Sequence, residues 1–242
     1  MTQALPTTAD IDAALAGPDP QARARMIGWA AGGSVEAQLI LGQMLLDGRG
    51  GAADPAAGFA QFLKAARAGH PMACNMVGRC YENGWGVTPS DDAATSWFRL
   101  AAQAGLDWGM YNLATSLALG RGVAQDRAAA RAWLEKAVGL NHAKSMTVLG
   151  GFLEDGWAGP RDLEGARRLY ERGAAGGDFR GAFSLGRLLL DQGRTPLAIP
   201  AIRTAWRDAT PAFRAQLLEF ITARPEPEIR QLAGDLTAAA QG

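Results

Sequence analysis

The sequence predicts an all-α fold: a right-handed α/α solenoid of about five 36-residue helix-pair repeats, closed by N- and C-terminal capping helices. Three observations predict it. The pairs Leu41-Gly42, Val77-Gly78, Leu113-Ala114, Leu149-Gly150 and Leu185-Gly186 return every 36 residues without slippage. The glycines Gly48, Gly84, Gly120 and Gly156 hold the same register. Between them run Ala-rich amphipathic segments, each preceded by Asp or Ser and followed by Gly or Asn.

Each repeat reads as helix A (34–46 in the first unit), a Gly-rich loop and helix B (55–68). Asp54, Ser90, Asp126 and Asp162 precede the B segments. Such side chains cap the first free N–H groups of a helix, worth ~1 kcal/mol, and Pro55 suits the first helical turn. Gly69, Gly105, Asn141 and Gly177 close the B segments. This is the left-handed position past a helix end, which Gly adopts freely and Asn tolerates. Ala37, Ala73, Gly109, Ser145 and Gly181 are small enough for close backbone approach, while Phe62, Phe98, Leu134 and Tyr170 fill a large apolar position. One helix pair cannot bury its apolar stripe, but stacked pairs can.

The expected boundaries are capping helices in 1–33, repeats at 34–69, 70–105, 106–141 and 142–177, and a degenerate fifth at 178–209. That fifth unit lacks the G-x-G loop and carries Pro196 and Pro200. Segment 210–242 closes the array with helices expected at 211–223 and 227–240, the whole forming one continuous domain.

Composition narrows the function. Lys+Arg and Asp+Glu both total 24, so the net charge is zero, which argues against nucleic acid or an anionic membrane as partner. No apolar run approaches the ~18 residues of a membrane span. The start, MTQALPTTADID, has neither a basic segment nor an apolar one. Lys occurs only at 64, 136 and 144, an Arg bias that fits a GC-rich genome. Cys74 and Cys80 fall six residues apart on one helix. That is ~9 Å of rise, beyond the ~7 Å a disulfide spans. A cytoplasmic location is expected.

The repeat resembles the Sel-one-like repeat family, relatives of the tetratricopeptide repeat. Its pattern A-x-x-x-L-G-x-x-Y-x-x-G-x-G-V is matched by Ala73, Val77-Gly78, Tyr81, Gly84 and Gly86-Val87. The aromatic pair and K-A-A-x-x-G that follow are matched by Trp97-Phe98, Ala101-Ala102 and Gly105, and in the first unit by Lys64-Ala65-Ala66. The third unit keeps Gly120, Gly122-Val123, Asp126, Trp133 and Lys136-Ala137, and the likeness spans residues 34–191. Ala114 departs from the Gly, and Leu45, Leu117 and Leu153 from the Tyr. The resemblance implies a module that binds other proteins.

Catalytic constellations are scarce. His70 and His142, the only histidines, hold one repeat position two units apart. At ~8–10 Å per helix layer they stand nearly 20 Å apart, too far to share a metal. The turn position suits a hydrogen bond to backbone. The G-x-G triplets lack a preceding strand, so no dinucleotide fingerprint is formed. The segment Asp10-Ile11-Asp12 reads as a helix start. Some secreted, cysteine-rich members of the resembled family have been described as β-lactamases, but this chain has no S-x-x-K and no paired cysteines. Neither metal nor cofactor is expected.

Helix phase places a second set of columns opposite the buried stripe. In stacked repeats the A helices line the concave side. The candidate groove residues are Met72, Asn75, Met76, Arg79, Trp108, Tyr111, Asn112, Lys144, Arg180 and Arg187. Exposed columns should be polar, so Met72, Met76, Trp108 and Tyr111 together suggest an interaction surface. Asn75, Asn112 and Arg79 suit a peptide backbone, and Lys144, Arg180 and Arg187 suit a carboxylate. The alternative is that superhelical curvature buries these side chains against each other. Arg49, Trp85, Arg121 and Trp157 share one loop position, and an alternating Arg–Trp edge ladder of cation–π contacts is expected there.

The expected function is therefore a non-enzymatic adaptor or accessory subunit, monomeric alone, that binds a protein or peptide segment, with enzymes among the candidate partners. Two competitors stand beside it: a small-molecule hydrolase of β-lactamase type, and a self-assembling structural solenoid.

Overall fold

The computed structural model describes residues 5–239, which form fourteen α-helices and no strand among the described residues. The first four residues of the expected N-terminal cap, and position 240 of the expected last helix, lie outside them. The chain divides into two compact units, Met1–Asp126 and Arg127–Gly242.

The first unit holds α1 (Thr8–Leu15), α2 (Asp19–Ala31), α3 (Val35–Asp47), α4 (Pro55–Arg67), α5 (Pro71–Asn83), α6 (Asp91–Gln103) and α7 (Asp107–Leu119). Helices α1 and α2 form the cap, and α1 begins with a capping box in which Thr7 and Asp10 satisfy each other's backbone N–H groups. Helices α3/α4 and α5/α6 are the first two A/B pairs, and α7 is the third A helix. The second unit holds α8 (Arg127–Gly139), α9 (Ala143–Asp155), α10 (Leu163–Ala175), α11 (Phe179–Asp191), α12 (Thr195–Asp208), α13 (Pro211–Thr222) and α14 (Pro227–Ala239).

The residue columns explain the packing. Asp54, Ser90 and Asp162 accept from the backbone N–H groups of Ala57, Ala93 and Gly165, capping α4, α6 and α10. Asn141 follows α8 at φ +62°, the same left-handed turn that Gly69, Gly105 and Gly177 make elsewhere. The Leu-Gly column is a docking surface for the large position on helix B. A Cβ on Gly42 would stand 2.6 Å from the Phe62 ring, and one on Gly78 equally close to Phe98. Gly150 receives Tyr170 in the same way, at 2.5 Å. The absent side chain lets a ring lie directly on backbone, and Phe62, Phe98 and Tyr170 are almost wholly buried.

The second glycine of each G-x-G loop carries a different load. Gly50, Gly86 and Gly122 have positive φ, and their backbones press against the start of the preceding repeat's B helix or its counterpart in the cap. A Cβ at these positions would fall 2.4 Å from Asp19, 2.1 Å from Pro55 and 2.2 Å from Asp91. Asp19, Pro55 and Asp91 are themselves 36 residues apart, so one contact recurs down the first unit.

In the second unit the core is thickened by the closing helices. Ile202, Leu217, Ile221, Ile229 and Leu232 form one buried cluster that unites α12, α13 and α14. No helix among the described residues is long and apolar enough to cross a membrane.

Candidate functional site

The residues that could carry chemistry have structural duties. His70 is the N-cap of α5: its Nδ1 accepts from the Ala73 N–H at 3.3 Å, and its Nε2 lies 3.3 Å from the Glu36 carboxylate. This arrangement requires the tautomer with the proton on Nε2. His142 caps α9 by accepting from Ser145 N–H. Cys74 and Cys80 are buried free thiols. Burial pushes Cys80 up to about 11, so it is an inert thiol at neutral pH. No group of three or more His, Cys, Asp or Glu among the described residues could hold a metal.

The expected groove residues separate into different environments. Asn75 and Met76 are only 3% and 8% exposed. Their expected exposure is corrected because α5 packs against α7: Asn112 Nδ2 donates to Asn75 Oδ1 at 2.8 Å, an amide hydrogen bond that ties the two helices. Met72 is half-buried, as is Tyr111. Trp108 is 37% exposed and meets Tyr111 edge to face, ring centroids 6.1 Å apart.

Two arginines leave the positions foreseen for them. Arg79 does not point at a partner's backbone; its guanidinium lies 4.9 Å above the Trp85 ring. Arg187 binds carboxylates of its own chain, Glu154 at 2.5 Å and Asp191 at 3.4 Å. Arg180 is exposed and lies over Phe179 and Phe213, while Lys144 is half-buried.

The edge ladder is likewise corrected. Arg49 pairs with Asp19 at 2.6 Å, because the neighbouring α2 offers a carboxylate, which binds a guanidinium more strongly than an indole face does. Trp85 takes Arg79, and Trp157 takes Arg127 at 3.9 Å, so the cations over both rings come from helices. Arg121 contributes its carbonyl, which accepts from Thr95 Oγ1. Trp85 itself is half-buried against the cluster around Phe62, Val77 and Cys80. Trp85→Ala is expected to lower stability by about 2 kcal/mol, below the 3–5 kcal/mol of a fully buried aromatic. Denaturant unfolding measures it, and an unchanged midpoint would show that the indole is not part of the packing.

Sequence reasoning missed two features. The first is a pocket in the first unit of about 370 Å³. Leu15, Leu39, Ile40, Met44, Met72 and Met76 form its apolar wall. Gln43, Asp47 and Arg49 form a polar edge. Leu39, Ile40, Met72 and Met76 signal it as apolar residues in columns that should be polar, but the contribution of Leu15 depends on how α1 docks. The second is Glu154, buried at 8% exposure in the second unit. It accepts from Tyr170 Oη at 2.7 Å and from Arg187. Burial raises the Glu154 carboxyl, but the hydrogen bonds and positive charge of Arg187 and the Tyr170 bond outweigh it and hold the group below its ordinary value. The same burial and the adjacent carboxylate push Tyr170 above its usual range. The column Leu46, Glu82, Ala118, Glu154, Leu190 gives a faint signal, two acids in a position otherwise apolar.

Successive helix pairs carrying one register define an α/α repeat protein. Four stretches, residues 35–70, 71–106, 109–142 and 143–178, match the Sel1 repeat family model. The chain belongs to the Sel1 repeat family. Such repeats generally serve as protein-interaction modules. A protective antigen of uropathogenic Escherichia coli strains displaying an SLR fold superposes with a TM-score of 0.70 at 25% identity. That similarity covers 93% of this chain, which spans 50% of the antigen. A Sel1 repeat protein from Oxalobacter formigenes gives a TM-score of 0.79 at 24% identity, covering 95% of this chain and 99% of its own. An immunity protein from Pseudomonas aeruginosa has the same fold at 16% identity, with a TM-score of 0.57 over 84% of this chain and 80% of its own.

Proposed function

We propose that the chain is a non-enzymatic interaction module, an adaptor or accessory subunit that seats a protein or peptide segment on the A-helix face of its first unit. The observation that carries this reading is the apolar pocket between α1, α3 and α5, open at a polar edge. Exposed apolar surface rimmed by polar groups is where partners dock. Methionine walls adapt to differing side chains. Trp108, one repeat on from Met72 in the same column, supplies the aromatic anchor that dominates binding energy at such surfaces. Lys144 and Arg180 are candidates for acidic groups on the second unit. The unpaired thiols of Cys74 and Cys80 suit a cytoplasmic setting.

The test is affinity capture of the full chain's partner, followed by titration of variants against it. Trp108→Ala should weaken binding by about 2 kcal/mol, roughly thirtyfold. Undiminished affinity in both Trp108→Ala and Tyr111→Ala would remove this face from the interface.

A further inference from the structure

The polar edge of the pocket is asymmetric in charge. Arg49 is neutralised by Asp19. Asp47 accepts a 2.7 Å hydrogen bond from Gln43 Nε2, a neutral donor. Among the described residues no ion pair forms at Asp47, and the last turn of α3 holds no basic residue. An acid at a helix C-terminus faces the negative end of the helix dipole, which raises the demand for a cation.

At one of its repeat equivalents this position holds cations. Asp191 ends α11 and is the repeat equivalent of Asp47, four 36-residue registers on; Arg187 likewise corresponds to Gln43. Asp191 is bound by two guanidinium groups, Arg187 at 3.4 Å and Arg224 at 3.0 Å. Arg224 arrives from the connection between α13 and α14 and lies over the Phe220 ring at 5.6 Å. The closing segment thus delivers an arginine, with an apolar surface beneath it, to the carboxylate at the end of an A helix. In the first unit the carboxylate and an apolar wall are present, and Gln43 replaces the internal cation.

We infer that the pocket is a receptor for an arginine side chain of the bound segment, its aliphatic stem along Ile40, Met72 and Met76 and its guanidinium on Asp47. The inference rests on the module reading above and adds the chemistry of the partner: an exposed segment carrying arginine. A guanidinium suits the place because its stem is apolar while its planar fork matches a carboxylate. Lysine shares the charge but lacks the fork.

The test uses the full chain with its methionine methyl groups labelled for NMR. The probes are the blocked peptide acetyl-Gly-Ala-Arg-Ala-Gly-amide and its twin bearing citrulline, the neutral isostere of arginine. The arginine peptide should shift the Met72 and Met76 methyl signals saturably, with the citrulline twin at least tenfold weaker. In Asp47→Asn, a substitution at an exposed position, the two peptides should bind within about twofold of each other. Equal affinities in the unsubstituted chain, an arginine preference that survives Asp47→Asn, or no saturable shift up to about 10 mM peptide, where millimolar sites would already fill, would each overturn the slot. The module reading fails separately, when the capture experiment yields no partner sensitive to Trp108→Ala.

Discussion

Gly86→Ala is expected to destabilise the chain by about 3 kcal/mol, combining left-handed backbone strain with overpacking. Gly86 has φ +69°, a conformation in which a Cβ is unfavourable. The larger effect is its neighbour. The new methyl carbon would stand 2.1 Å from the Pro55 carbonyl oxygen and 2.6 Å from the Ala56 nitrogen. Both are backbone atoms at the start of α4, and no rotamer change relieves the clash. The loop of one repeat would have to lift off the B helix of the repeat before it. Denaturant unfolding followed by circular dichroism measures the loss, with Gly28→Ala as comparison. Gly28 lies inside α2 with open space around its Cβ direction, so that change should be neutral or stabilise by up to about 1 kcal/mol. Equal midpoints for Gly86→Ala and the unsubstituted chain would refute the close-approach account.

The second large effect is expected at Glu154. Glu154→Ala leaves the Tyr170 hydroxyl and Arg187 without their shared acceptor, and should cost about 3 kcal/mol. The same bonds predict a pH dependence. The Glu154 carboxyl is held below its ordinary value in the fold, so its ionised form is favoured there over the unfolded chain. That stability is complete above the unfolded value of 4.5 and drains away as pH falls through the lower folded value. Melting temperatures from pH 7 down to 3 should therefore drop more steeply for the unsubstituted chain than for Glu154→Gln. Parallel curves for the two would show that Glu154 does not carry the acid sensitivity. The network extends further, since Arg187 also binds Asp191, and Arg224 links Asp191 to Glu226. Glu154→Ala should thus loosen the closing segment as well as α9, visible as faster amide exchange around Arg224.

Most of the helix pattern is legible in the sequence. A cap and a left-handed stop depend on side chains within a few residues of each other, which is why Asp54, Ser90, Gly69 and Asn141 could be assigned their duties from position alone. The small columns were legible for a related reason. A residue conserved in size every 36 positions has the same neighbour every time, and Gly78 beneath Phe98 is that neighbour made visible. The site is less legible in the sequence. Angle around a single helix axis marks Asn75 and Met76 as facing away from helix B, yet burial also depends on α7 coming alongside, and angle says nothing of that. Arg49 illustrates the same limit in electrostatics. Its position beside Trp85 in the repeat was plain, but a guanidinium chooses the best acceptor within reach, and Asp19 belongs to a capping helix outside the repeat.

Fold class, repeat register and the caps at Asp54, Ser90 and Asp162 follow from the sequence alone, because each rests on short-range chemistry repeated in phase. Which face residues are buried, which carboxylate each arginine takes, and the meeting of Leu15, Ile40, Met72 and Asp47 around one pocket become visible only in three dimensions. Those outcomes are competitions among side chains brought together from separate helices, and such competitions are settled by distance in space.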